Sequence, residues 1–306
     1  MNTVNPAERR LQLAVGSIPY FWPKQQVEDF YAALVKLPVD TVYIGETVCS
    51  KRRALSAGDW FELGCMLSDS GKEVVLSSLA LIEAWSELSM LKKLAANFRF
   101  MIEANDLAGV DVAIEHKQRF VTGPTVNIYN GHTLSTLVSK GLQRWVPPVE
   151  LSAESIRAIL DEFSELRGYA SESRVETEVF GYGRLPLAHS ARCFTARYHG
   201  RTKDTCRFAC LENPQGLPAR TRDGEPFLRL NGIQVQSDAV HAVTDVESLE
   251  AAGATRLRLS PTGDDFLDVV TVYADLLDGK PATLPGENLV AGYWFGQPGM
   301  APAPGG

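Results

Sequence analysis

The chain is 306 residues long, 45% hydrophobic and 22% charged, a balance that supports a full buried core and excludes wholesale disorder. A net charge of -7 leaves no electrostatic footprint for coating a phosphate backbone, so nucleic acid is a poor partner. The start, MNTVNPAERRLQL, lacks the pattern of a secretory leader, and no run of about 20 apolar residues follows it; the expectation is a soluble, cytoplasmic protein without a transmembrane segment.

LAVGS (13–17) predicts a strand, followed after Pro23 by a helix with Val27, Phe30, Tyr31 and Leu34 on its apolar side. The unit repeats: TVYIGE (41–46) precedes a helix over Ala57–Leu67, EVVLSS (73–78) one over Glu83–Phe98, and RFMIEAND (99–106) one over Leu107–Lys117. RFVTGPTVNIYN then leads to a helix from His132, and RWVPPVEL to a helix begun by Ser152 and striped by Ile156, Ile159, Leu160 and Phe163. VETEVFGYG makes a seventh strand. FLRLNGIQ, TRLRLSP and a closing helix bearing Phe266, Val269, Val270, Tyr273 and Leu277, stopped by Gly279, complete the series.

Roughly eight βα units predict an α/β fold, a (β/α)8 TIM-like barrel spanning residues 1–296 as one domain. An open doubly wound sheet uses the same alternation, and the repeat count favours closure. Between Phe194 and Pro226 the alternation fails, so residues 194–226 read as a cysteine-bearing excursion after the seventh strand. The Pro/Gly-rich end predicts a disordered tail over 297–306.

In a reducing compartment five cysteines are free thiols, metal ligands or catalytic groups rather than a disulfide framework. Cys206 and Cys210 lie four apart in DTCRFAC, Cys193 ends the seventh-strand region before the same excursion, and Cys49 follows strand TVYIGE, where a barrel places its active-site loops. Four thiolates satisfy a 4Fe-4S or 2Fe-2S cluster and equally a structural zinc ion, and buried unligated thiols are a third possibility. Cys65, inside the helical pattern DWFELGCML, reads as a packed bystander.

Glu46, Glu103, Asn105, Asp106, Asn127, Asn130 and Glu150 gather at predicted strand ends and share one rim if the barrel closes. Capping explains Asp106 and Asn130 equally well, which leaves Asn105 and Asn127 as candidate substrate-binding residues. Lys51, Arg52 and Arg53 beside Cys49 can hold a carboxylate or offset an anionic cluster, with a solvated face as the alternative. His189 is a candidate supporting donor near Cys193. Serine-hydrolase, zincin and nucleotide-binding motifs are absent from the sequence.

The stretches YFWPKQQVEDFY, VDTVYIGETVCSKRRA, GDW, FMIEANDL, PVELS and EVFGYGRLPLAHSARCFTARYHGRTKDTC resemble the collagenase-like peptidase family, in particular its branch serving dioxygen-independent ubiquinone biosynthesis. The resemblance implies a 4Fe-4S protein whose cluster cysteines fall on Cys49, Cys193, Cys206 and Cys210. It also implies a heterodimer with the paralogue UbiU that hydroxylates a ubiquinone precursor without dioxygen. Peptidase-like relatives read E-V-F-x-H-G-A-x-C before an S-G-x-C ending, whereas Tyr182, Pro186 and Ala191 stand here at the His, Cys and Gly positions. Proline neither ligates iron nor attacks a carbonyl, which argues against proteolysis. A metal-stabilised, non-catalytic interaction protein is the rival from another class.

Overall fold

The computed structural model describes residues 11–97, 99–168, 174–263, 265–286 and 289–302. β1 (Gln12–Val15) leads to α1 (Lys24–Leu34), β2 (Thr41–Ile44) to α2 (Ala57–Asp69), and β3 (Glu73–Ser77) to α3 (Trp85–Ala95). β4 (Met101–Ala104), α4 (Leu107–Glu115), β5 (Phe120–Thr122), α5 (Gly131–Val138), β6 (Leu142–Trp145) and α6 (Ala153–Arg167) continue the alternation up to β7 (Glu176–Gly183). The chain then leaves the pattern through β8 (Pro186–His189), α7 (Phe194–Tyr198), β9 (Leu217–Arg220), β10 (Pro226–Asn231), β11 (Gln234–Ser237) and the short β12 (His241–Ala242). It returns with α8 (Val246–Ala251), β13 (Arg256–Leu259) and α9 (Phe266–Leu277).

From β1 to β7 each strand pairs in parallel with the next, β7 pairs with β13, and β13 with β1. The sheet is a closed eight-stranded parallel barrel, as the repeat count predicts. Local signals start its helices: Ser56 and Asp59 form a reciprocal capping box on α2, and Asp106, Asn130 and Ser152 accept backbone N–H bonds at the starts of α4, α5 and α6.

One strand assignment needs correction. FLRLNGIQ does not enter the barrel; it forms β10 and the start of β11 in a separate antiparallel sheet ordered β8-β11-β10-β9. Gly232, at φ +66, reverses the chain between them, a conformation open to glycine at little cost. The excursion after β7 is therefore wider than 194–226, because β8, β10 and β11 belong to the same small sheet. Of the proline- and glycine-rich tail, residues 297–302 lie along the barrel: Gln297 N donates to Gly292 O at 2.7 Å, and Ala291 N to Ala301 O at 3.1 Å. Residues 303–306, and Phe98 of the third predicted helix, lie outside the described residues.

The two-residue period of the strands separates two interiors. Outward residues such as Leu13, Val42, Ile44, Leu76 and Leu257 merge with the apolar faces of α1 and α9 into the main core. Inward residues Ala14, Tyr43, Val75, Val121 and Val146 form a smaller cluster inside the barrel, shared with buried charges. Arg144 donates to Glu176 at 2.8 Å, to Glu73 at 2.7 Å and to the Tyr43 hydroxyl at 3.0 Å. Tyr43 donates to Glu178 at 2.6 Å, and Arg258 donates to Glu178 and Glu103, both at 2.6 Å, with its guanidinium 4.0 Å from the Tyr43 ring centre. Burial alone would push the Glu178 carboxyl up; Arg258, Arg144 and Tyr43 outweigh it and hold the group below its ordinary value.

His241, 3% exposed on β12, is kept neutral because burial pushes its pKa down to about 4. The unfolded chain takes up this proton below about pH 6.5 and the native state refuses it, so the associated stability is complete above that pH and is lost as pH falls toward about 4. The difference amounts to at most about 3 kcal/mol. Denaturant midpoints at neutral and mildly acidic pH should fall further for the wild type than for His241→Gln; equal falls would contradict this account.

Candidate functional site

The loop after β2 is shaped by its own acid. Glu46 accepts the backbone N–H of Val48 at 2.8 Å and of Cys49 at 3.0 Å, and Arg52 N closes the turn on Cys49 O at 2.9 Å. Burial raises the Glu46 pKa, and Arg52, 3.9 Å away, opposes the shift. The rim carboxylate thus builds the Cys49 turn.

The other three thiols come from the excursion. Cys193 caps α7, its sulfur accepting the Ala196 N–H at 3.4 Å. Between Cys206 and Cys210 the backbone curls through Arg207 at φ +48 and Phe208 at φ +54. Two consecutive non-glycine residues in this region are strained. The strain is held by surrounding contacts, with Phe208 stacked 5.6 Å from Phe21 and Asn213 N donating to Cys210 O at 3.2 Å.

These segments meet at the β2 loop. Cys49, Cys193 and Cys206 share one apolar cluster with Val48, Ala196, Ile233 and Leu81. Cys210 is near enough to Cys193 for their charges to interact, and the Arg52 guanidinium lies beside it. Burial pushes the thiols of Cys49, Cys193 and Cys210 up, so they are protonated when no metal is bound. Among the described residues, no group of three or more His, Cys, Asp or Glu side chains is placed to hold a metal ion; the four cysteines share a region without closing on one point. Cys65 lies apart on α2, its sulfur accepting from Arg99 at 3.0 Å.

Arg52 joins the pieces. It is 5% exposed and donates to Pro19 O at 2.8 Å and Asn231 Oδ1 at 2.7 Å, linking the loops after β1 and β2 to the β10–β11 turn. Lys51 adds bonds to Lys203 O at 2.9 Å and Asp204 Oδ1 at 3.1 Å, and Lys203 pairs with Glu83. Arg53 is exposed and keeps to its own turn.

A second feature sits over the barrel mouth, where the small sheet roofs a cavity of about 60 Å3. Asn105, Glu103, Arg258 and Ser260 line it from the barrel, and Arg184, Pro186, His189 and Gln236 from above. Asn105 is fixed by bonds to Ser78 O at 3.0 Å and Glu103 at 3.2 Å, and Gly123 is required beside it because a Cβ there would fall 1.7 Å from the Asn105 oxygen. His189 faces this cavity, 3.1 Å from Gln234, and burial pushes its pKa down to about 4. Asn127 is exposed at φ +60 and does not line the cavity. Glu150 bonds Tyr129. The four candidate substrate residues therefore separate: Arg52 bridges loops at the thiols, Arg53 stands beside them, Asn105 lines the mouth and Asn127 faces outward.

Arg184, Arg258, Glu178 and Gln236 were not anticipated. For two of them a signal exists in ETEVF and TRLRL, where charged residues alternate with apolar ones inside strands that must be buried on both faces.

Residues 25–283 match the peptidase family U32. The chain belongs to peptidase family U32. The match takes in all four converging cysteines, so the resemblance to the collagenase-like peptidases holds at family level. Among solved structures, the U32 peptidase Mk0906 is similar at 12% identity and a TM-score of 0.47 over 86% of this chain and 98% of that one. Tryptophan synthase of Pyrococcus furiosus is similar at 10% and 0.46 over 89% and 98%, and that of M. tuberculosis at 12% and 0.44 over 89% and 88%. In this U32 chain Pro186 is part of the mouth-cavity wall.

Replacing Arg52 by Gln should cost about 3 kcal/mol, because buried hydrogen bonds from a charged donor are lost, and should speed labelling of Cys210 by a thiol reagent. Arg53→Gln should change stability by less than about 0.5 kcal/mol. Denaturant melts and labelling rates of both metal-free variants provide the check; indistinguishable variants would remove Arg52 from its bridging role.

Proposed function

We propose that this U32 chain is a UbiV-type iron-sulfur subunit that, with UbiU, hydroxylates the ring of a ubiquinone precursor without dioxygen in the cytoplasm. The observation that carries this reading is the convergence of Cys49, Cys193, Cys206 and Cys210 from distant parts of the chain onto one cationic pocket. Packing alone does not call for four thiols in one place, three of them in a strained or capping segment.

The donor set fits a 4Fe-4S cluster. All four ligands are sulfur, and Arg52 and Lys203 supply positive charge beside Cys49, which offsets the charge of thiolates. A single tetrahedral zinc ion would draw its sulfurs to within about 4 Å of one another, whereas a cluster gives each thiolate its own iron. Binding must displace the thiol protons, so loading should weaken as pH falls.

The cluster, when bound, supplies one-electron transfer. The four cysteines would hold it, and with every iron so ligated no site is left for the ring. Orientation of the ring then falls to side chains of this chain and its partner. With oxygen from water, hydroxylation releases two electrons and two protons, and an electron acceptor must take up those electrons one at a time through the cluster; with an oxygen-bearing organic donor, the donor itself is reduced as it gives up the oxygen. Proteolysis has less support, since Tyr182 and Pro186 occupy the family's His and Cys positions and neither pairs with a nucleophile. A non-catalytic, metal-pinned interaction protein differs in having no redox-active centre.

Anaerobically purified wild type should contain about four iron and four sulfide per chain. Cys49→Ala should lose them, although Cys49 is far in sequence from the other ligands, and Cys65→Ala should retain them. Cluster loss in the Cys65 variant with retention in the Cys49 variant, at equal folding by circular dichroism, would reverse the ligand assignment, and stoichiometric zinc in iron-replete cells would sink the cluster. Deleting the gene should stop ubiquinone synthesis only without air, and the chain should co-elute with UbiU on size exclusion; equal ubiquinone loss in both conditions would contradict the function.

A further inference from the structure

Around the barrel α1 packs on α2 and α3 on α4, but α2 and α3 part. A groove of about 510 Å3 opens between them. Its floor is the outward side of the barrel, Ile44 of β2 and Leu76 of β3, and its walls are Trp60 on α2 with Met90, Leu91 and Leu94 on α3. Leu55, Leu79 and Ile82 add apolar lining nearer the rim. At the other end the groove runs up to the Cys49 turn, where Ser50 and Arg53 line it and Ser50 Oγ donates to Glu87 at 2.5 Å.

We propose that this groove binds an isoprenoid-tailed phenol, with the tail along the α2–α3 walls and the aromatic head at the Ser50–Arg53 end beside Cys49. The groove's volume lies within the roughly 300–1,000 Å3 of ligand sites, and its apolar α2–α3 walls with polar side chains gathered toward the Cys49 turn match an amphiphile with an apolar chain. Arg53 has no carboxylate within 4 Å among the described residues, its Nε bonding only Ser50 O at 3.2 Å; a guanidinium in that state complements a phenolate or carboxylate oxygen. The mouth cavity is the wrong shape for such a tail, being smaller and walled by Arg184, Arg258, Asn105 and Gln236. The inference rests on the reading of this chain as an enzyme of ubiquinone-precursor chemistry and specifies where that substrate lies.

Trp60 on the wall reports occupancy. Full-length protein, purified anaerobically, is titrated with decylubiquinone and separately with the tail-less ubiquinone head while tryptophan fluorescence is followed. Saturable quenching by decylubiquinone, at least about tenfold weaker for the tail-less head and absent in Trp60→Phe, is expected. Met90→Arg places a charge on the exposed wall; it should weaken decylubiquinone binding at least about tenfold and leave iron content and UbiU co-elution unchanged. Equal quenching by both quinones, or Met90→Arg binding like wild type, in protein that holds iron and UbiU, overturns the groove and leaves the proposed function standing. Loss of UbiU co-elution in Met90→Arg with unchanged quinone binding assigns the groove to the partner and also overturns it. Tail-dependent binding by a wild type without iron supports the groove and counts against the cluster.

Discussion

Two guanidiniums, four carboxylates and one phenol meet in the barrel, and their mutual satisfaction is the constraint under which the rest of the molecule is built. Arg258 on β13 reaches Glu178 on β7 and Glu103 on β4, crossing the lumen over the face of Tyr43. Arg144 on β6 reaches Glu73 on β3 and Glu176 on β7. Removing one member of such a network leaves a buried charge without its partner, at a cost of about 3–5 kcal/mol. Opening the barrel would separate several of these pairs at once. The same charges line the mouth, which makes that cavity polar and leaves the long apolar surface to the outside of the barrel, between α2 and α3.

A comparable economy governs the thiols. A barrel rim positions loops but does not bring residue 49 to residue 210; that is done by Arg52, whose bonds to Pro19 and Asn231 tie the β2 loop to the small sheet. Around this bridge the excursion is drawn over the rim, Cys193 is placed at the start of α7, and the Arg207–Phe208 curl aims the last two cysteines inward. Strain in that curl persists because neighbouring contacts over-determine it. The barrel is the frame of this U32 chain, and Pro186 belongs to the wall of its mouth cavity.

Much of the architecture could be read along the chain. Hydrophobic periodicity located the strands and helices of the barrel up to β7, and capping residues such as Ser56, Asp106 and Ser152 marked helix starts, because these signals depend on neighbours a few positions away. FLRLNGIQ was misplaced for the same reason: apolar alternation reports a half-buried strand and is silent on which sheet receives it. The tail behaved similarly, since a Pro/Gly-rich composition does not register the backbone bonds that residues 297–302 make to the segment around Gly292.

For the site, residue type and spacing in the sequence were enough to single out Cys49, Cys193, Cys206 and Cys210 and to set Cys65 aside on its helix. Their assembly in one pocket, the separation of Arg52, Arg53, Asn105 and Asn127 into different environments, and the groove between α2 and α3 were decided only by the tertiary structure. Chemical identity is carried by a residue itself and periodicity by its near neighbours. Distance between remote segments depends on how the closed barrel and the appended sheet pack together, and on the bridges from Arg52, Lys51 and Asn231 that tie the rim loops to the excursion.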